Sequence, residues 1–195
     1  SQQYNPTEVE LIAPIVRACL DDLHLDGANG LGIVVPHNAQ KAALRQRFPA
    51  LDAAGAIDTV ERFQGGERDV IIVSATASDP SYILAEAAFL LNLNRLNVAF
   101  SRPRLKLIVV AARALFRFLC RDLDRFEEAL IWKHLRYEYA DTPLWAGSRA
   151  GVRVEVRGHP AGHAIQQPAS DVADIPASFA APQPTGLTER SYEPW

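Results

Sequence analysis

The sequence predicts an α/β domain built on a mostly parallel sheet, and three observations carry that prediction. Two short runs, Leu31–Val35 and Val70–Val73, are almost wholly apolar, as strands buried on both faces must be. Longer stretches around them repeat their apolar residues at helical spacing. The two kinds of segment alternate along the chain, which is how helices come to cover both faces of a parallel sheet.

The elements follow in order. Asn5-Pro6-Thr7-Glu8 is a helix start: a capping side chain, proline at the first helical position and Glu at the third. Val9, Ile12, Val16, Cys19, Leu20 and Leu23 then recur at helical spacing, up to a stop at Asp26-Gly27. Pro14 lies inside this pattern and costs ~3 kcal/mol in a regular helix, so a kink or a later true start is expected. After Leu31–Val35, Pro36 ends the strand, and residues 38–48 read as a second helix. Ile57–Val60 is a brief strand, a glycine turn follows, and Val70–Val73 is the next strand. Residues 81–91 and 93–100 look helical, residues 105–111 form a strand, and residues 114–139 are mainly helix. Val152–Val156 alternates and reads as a late edge strand.

Composition sets the outer bounds. At 195 residues and 48% hydrophobic, the chain can bury one good core with an appendage. No apolar run approaches the ~20 residues that cross a bilayer, and no signal peptide opens the chain. Cys19 and Cys120 lie on apolar helical faces and read as reduced core residues, so an intracellular protein, cytoplasmic or nuclear, is expected. The chain has no methionine and begins Ser1-Gln2-Gln3, which predicts an excised piece of something longer. Residues 1–157 carry equal numbers of cations and acids, which excludes a strongly basic polyanion binder, so any nucleic-acid contact must come from locally placed groups. From residue 158 to 195 the chain is rich in Pro and Ala and reads as a flexible tail, with a protein partner as the candidate holder of its Tyr192–Trp195 end. The domain is thus expected over residues 1–157, with its core at about 5–140.

Two motifs carry chemistry and one is a decoy. Gly27–Gly32 superficially resembles a phosphate loop, but it precedes its strand and reads as a helix-ending turn. No G-x-x-x-x-G-K-[ST] occurs, so the chain does not cradle a triphosphate and magnesium alone. In Gln64-Gly65-Gly66-Glu67-Arg68-Asp69, two successive glycines permit positive φ and a close backbone approach to a ligand; a plain β-turn is the alternative. In Leu93–Val110, apolar runs enclose Arg95, Arg102, Arg104 and Lys106, with Pro103 between two of the arginines. Among the five histidines and two cysteines no metal-ligand spacing is found, and Glu127 and Glu128 read as a solvated face opposite Trp132.

Thr59–Ser74 resembles motif V of superfamily 1 helicases, in the branch that includes the nonsense-mediated-decay RNA helicase and the replication helicase-nucleases. Asn94–Arg104 resembles motif VI of that branch, and Gly32–Gln40 resembles motif IV. Three motifs in family order, over about residues 5–120, make a specific match to the second RecA-like domain. The Walker motifs belong to the first domain, which this chain lacks. The resemblance implies a RecA-like, P-loop-NTPase-type fold and a motor that binds ATP and Mg2+ between two domains of one chain while moving along single-stranded DNA or RNA.

It also implies roles. Arg102 would be the arginine finger, worth ~10³-fold or more in rate, because a planar guanidinium stays charged and grips phosphate with two donors. Arg95 and Arg104 would be supporting cations that fix the helix end or pair with acids. Gly65 would present its N–H to the γ-phosphate, Glu67 would meet the ribose and Gln64 would hold the loop. Thr59 would contact the backbone of a single strand, Gln40 and the start of its helix would face nucleic acid or the cleft, and His37, where the family has Tyr, would face the strand; a solvated helix cap is the alternative for His37. Pro103 replaces the usual alanine and draws Arg102 toward extended backbone. On this reading the chain alone is catalytically silent. Two other readings stand beside it: a non-catalytic scaffold of the same fold that binds a partner through its tail, and a stand-alone α/β binding module of the response-regulator type.

Overall fold

A computed structural model describes residues 3–63, 66–79, 82–83, 92–118, 123–149 and 151–159. Most of the helix expected over 81–91, Cys120, and the tail beyond residue 159 lie outside the described residues.

Helix α1 (Pro6–Arg17) starts where the capping signature requires: the Asn5 side-chain oxygen accepts the Glu8 N–H at 3.2 Å. It runs on past Pro14 and passes into a π-helical turn, Ala18–Asp22. The glycine-rich stretch therefore does not end the helix. It is a separate turn built on Asp26, whose Oδ1 accepts the N–H groups of Ala28, Asn29 and Gly30. These bonds, those from Asn29 and Gly30 foremost, hold the Asp26 carboxyl below its ordinary pKa.

The chain then alternates strand and helix: β1 (Leu31–Val35), α2 (Asn38–Arg47), α3 (Pro49–Ala53), β2 (Ile57–Thr59), β3 (Arg68–Ser74), α4 (Leu93–Phe100), β4 (Pro103–Val110) and α5 (Arg113–Arg117). The four strands form one parallel sheet in the order β2-β1-β3-β4. Register puts Ile57, Ile33, Ile72 and Ile108 in one row across it. That face packs with Val9, Ile12, Val16 and Leu44 from α1 and α2. The opposite face, carrying Val34, Ile71 and Val73, packs with Phe63, Leu96, Leu115 and Trp132. Each fully buried aliphatic side chain here contributes ~1.5–3 kcal/mol, so the alternation along each strand, with both faces covered, is what makes the sheet a core.

Trp132, on α6 (Leu123–His134, continuing as a π-helical turn Leu135–Tyr139), anchors the second face. It is 1% exposed, with Phe100 and Phe116 edge-on at 5.9 and 6.0 Å. The side chains of Glu127 and Glu128 lie outside the described residues. Gly32 is required by packing: a Cβ there would sit 2.5 Å from the Phe63 ring and 2.9 Å from Ile71 Cδ1. The loop after β2 thus rests directly on the β1 backbone.

One expectation is corrected. Val152–Val156 is no edge strand of the main sheet. It lies in β6 (Val152–Gly158), which pairs antiparallel with β5 (Thr142–Arg149) in a separate two-stranded ribbon. Glu155 of that ribbon pairs with Arg113 and Arg136, and Trp145 and Val156 sit opposite each other, both about half exposed. Among the described residues no helix is long and apolar enough to cross a membrane.

Candidate functional site

The residues singled out from sequence fall around the two ends of the parallel sheet. Arg102 lies where the strands begin, between α4 and β4, and is half-buried. Its carbonyl accepts the Arg68 N–H at 3.2 Å, and its Nε is buried without a hydrogen-bond partner among the described residues. Pro103 opens β4 opposite Arg68. The first residue of a strand tolerates proline because no ladder N–H is needed there, and the chain bends at Arg102 just before it. The bond from the Arg68 N–H holds the Arg102 main chain against β3.

Two of the neighbouring arginines, Arg104 and Arg95, pair with acids, while the Nε of Arg68, like that of Arg102, is buried without a hydrogen-bond partner among the described residues. Arg104 places Nε and Nη2 each 2.9 Å from Asp69 Oδ1, and Nη2 reaches the Asn29 carbonyl at 3.0 Å. It clasps β4 to β3 and to the turn before β1. Arg95 meets Glu61 at 3.5 Å, joining α4 to the loop after β2. Arg68 lies over the Phe63 ring, 5.5 Å from its centroid, and donates to the Glu67 carbonyl. Gly55, Asp58, Arg62, Phe63, Gly66 and Arg68 line a shallow hollow beside this loop. Gln64 and Gly65 lie outside the described residues.

The end where the strands finish is built differently. Gln40 is fully buried: its Nε2 donates to Ser74 Oγ at 2.9 Å, and its Oε1 accepts the Asn5 N–H at 2.9 Å. Both ends of its amide are engaged inside the domain. Thr59 is buried too; its N–H meets Asp58 Oδ1 and its carbonyl accepts from Arg62 and Phe63, turning the chain out of β2. His37 occupies the capping position of α2 without capping it. Its Nε2 lies 3.2 Å from Tyr82 Oη, with the rings 6.3 Å apart edge-to-face. The histidine is thus paired with an aromatic ring.

Sequence reasoning missed Glu8. It is 3% exposed, and its Oε2 accepts Ser74 Oγ at 2.6 Å and the Thr76 N–H at 2.9 Å, while Asn5 Nδ2 donates to Oε1 at 3.2 Å. Burial raises its pKa from 4.5 to about 7, against the lowering effect of the Ser74 and Thr76 hydrogen bonds. Thr76 itself has φ +67°, a left-handed conformation rare for a β-branched residue, and its buried Oγ1 has no partner among the described residues. A signal for Glu8 was available: at helical spacing it shares the face of Asn5, Val9 and Ile12, which points into the core. Nearby, Lys41 and Asp58 form a mostly buried ion pair. Burial opposes the Asp58 charge, but bonds from Lys41 and the Thr59 N–H, with the Lys41 and Arg45 charges, hold its pKa below the ordinary value.

The three motifs thus meet in space: β1 of motif IV carries the Phe63 of motif V, and Arg68 of motif V holds Arg102 of motif VI. Residues 1–114 match the family model of the AAA domain. The chain belongs to that family. It is 41% identical over 114 residues to a DNA polymerase alpha-associated DNA helicase A of Saccharomyces cerevisiae, an alignment covering 55% of this chain and 15% of that protein. It is 30% identical over 109 residues to the DNA replication ATP-dependent helicase/nuclease JHS1 of Arabidopsis thaliana, covering 56% and 8%. It is 32% identical over 146 residues to a putative helicase MOV-10 of Gallus gallus, covering 61% and 15%. The AAA domain is of the superfamily 1 helicase type, with the α/β, RecA-like sheet expected of it. It spans only a small fraction of each of these relatives.

Proposed function

We propose that this domain is the second RecA-like half of an ATP-dependent superfamily 1 motor that moves along single-stranded DNA or RNA. It supplies the arginine finger and part of the strand-binding surface, and hydrolyses nothing by itself. The observation that carries the reading is the contrast among the arginines of motif VI. Arg95 and Arg104 are paired with Glu61 and Asp69, whereas Arg102 keeps a buried Nε without a partner among the described residues. A guanidinium seated by its backbone and left uncompensated fits an anion brought to it from outside.

ATP with Mg2+ fits this half-site only in part, since the chain has no phosphate loop of its own. In the two-domain protein the nucleotide supplies the phosphoryl group whose hydrolysis drives the cleft. This chain's part is to close over it: Arg102 neutralises charge on the terminal phosphate, with Gly65, Gln64 and Glu67 on the flanking loop and Arg95 and Arg104 bracing the arginine. Each closure shifts a strand lying across the opposite end of the sheet, near His37 and Thr59. The test is single-strand-stimulated ATP hydrolysis by the intact protein, by its Arg102→Ala form and by this chain alone. The expected result is an active parent, a loss on the order of a hundredfold or more in Arg102→Ala, and silence from the chain. An Arg102→Ala protein as fast as its parent would remove the finger assignment.

A further inference from the structure

We propose that Glu8 is a positioning residue for the single-strand surface: through Ser74, Gln40 and Thr76 it fixes the platform at the strand ends that carries His37 and Tyr82. The inference rests on the strand-binding reading above and deepens it.

One carboxylate joins three elements. From α1 it takes the Asn5 amide; from the end of β3 it takes the Ser74 hydroxyl and the Thr76 N–H; and Ser74 in turn accepts from Gln40 of α2. Asn5 closes the ring, donating its N–H to Gln40 Oε1 and its side-chain amide to the Thr76 carbonyl. Thr76 is gripped at both main-chain groups and held left-handed, so the chain leaving β3 takes a direction that its sequence alone does not favour. That chain leads within a few residues to Tyr82, which meets His37 at the head of α2. The platform is therefore set by the network beneath it.

The other groups around Glu8 leave it as the titrating member. Asn5, Gln40, Ser74 and Thr76 are neutral, and the Lys41 ammonium is committed to Asp58. An ionised Glu8 accepts three donors. Protonation turns one acceptor oxygen into a donor, so either the Ser74 bond reverses its direction or one of the links to Asn5 and Thr76 is lost. With the pKa raised to about 7 by burial, this happens near neutral pH.

Binding of fluorescein-labelled 20-nucleotide oligo(dT) and oligo(rU) to the full chain, from pH 6 to pH 8, tests the inference by comparing the native chain with its Glu8→Gln form, so that a titration elsewhere appears in both. The native affinity should fall toward pH 6 about fivefold more than that of the Glu8→Gln form, the low end of ordinary coupling between sites. Glu8→Gln should already bind weakly at pH 8. An unchanged affinity and pH profile in the Glu8→Gln form overturns the inference. Should that form not fold, Ser74→Ala decides: it deletes a hydrogen bond that favours the ionised carboxyl, so the midpoint must rise, and a fixed midpoint overturns the inference. Absence of strand binding by every form at every pH sinks the strand-binding reading itself, which is a distinguishable failure.

Discussion

Where the parallel strands begin, polar groups meet at the surface: Arg104 and Asp69 face each other 44% and 29% exposed, and Arg104 can exchange its partner for water or an anion. Where the strands finish, Glu8, Gln40 and Ser74 are buried and bonded to one another in a closed ring. The difference follows from energetics. An exposed ion pair is worth ~0–1 kcal/mol and is easily replaced, which suits a surface that must receive and release an anion. A buried polar network is costly when incomplete, so while Glu8 keeps one charge state it holds its geometry. One end is made for exchange, the other for position.

The largest effect on stability should come from the buried end. The folded pKa of Glu8, about 7, lies above its ordinary 4.5, so between these values the folded state holds a proton that the unfolded state has lost. The stability that depends on this group is therefore fully present below about pH 4.5 and is lost as pH rises through 7, ~3 kcal/mol in all. Urea unfolding from pH 5 to 8 should show Glu8→Gln lacking that slope; a parallel slope in both proteins would mean that the carboxyl is not buried in solution. Next comes Lys41→Ala, which strands Asp58 without its cation. A loss of ~2–3 kcal/mol is expected, at the low end for a broken buried pair because Asp58 keeps some exposure, with its carboxyl titrating higher by NMR. The smallest is Arg104→Ala: about 1 kcal/mol or less, shrinking further in high salt. A larger, salt-insensitive loss would make Arg104 a member of the core and blur the contrast between the ends.

How much of this was legible beforehand depends on range. The parallel sheet was readable because runs such as Leu31–Val35 have no polar face to hide, and motif V was readable because its glycines sit at a fixed offset from β3. β5 was not, since Pro143 and Gly147 break its alternation, so its partner, read as an edge strand, was left without a neighbour. Glu8 was read as a local capping residue. Half of that holds, as its N–H does meet Asn5, but its carboxylate bonds to residues 66 and 68 positions away. Sequence spacing carries no information on such a contact. The same is true of Gln40, where motif order pointed to the right element while burial decided what its side chain touches.

The most direct test of the division of labour compares Arg102→Ala and Glu8→Gln in one intact protein, measuring strand Kd and strand-saturated ATP turnover together. Arg102→Ala should lose turnover by about a hundredfold or more with strand Kd nearly unmoved. Glu8→Gln should weaken strand binding several-fold, with a far smaller loss of saturated turnover. If both variants lower both quantities in the same proportion, the two ends do not act separately, and the assignment of exchange to one and position to the other is wrong.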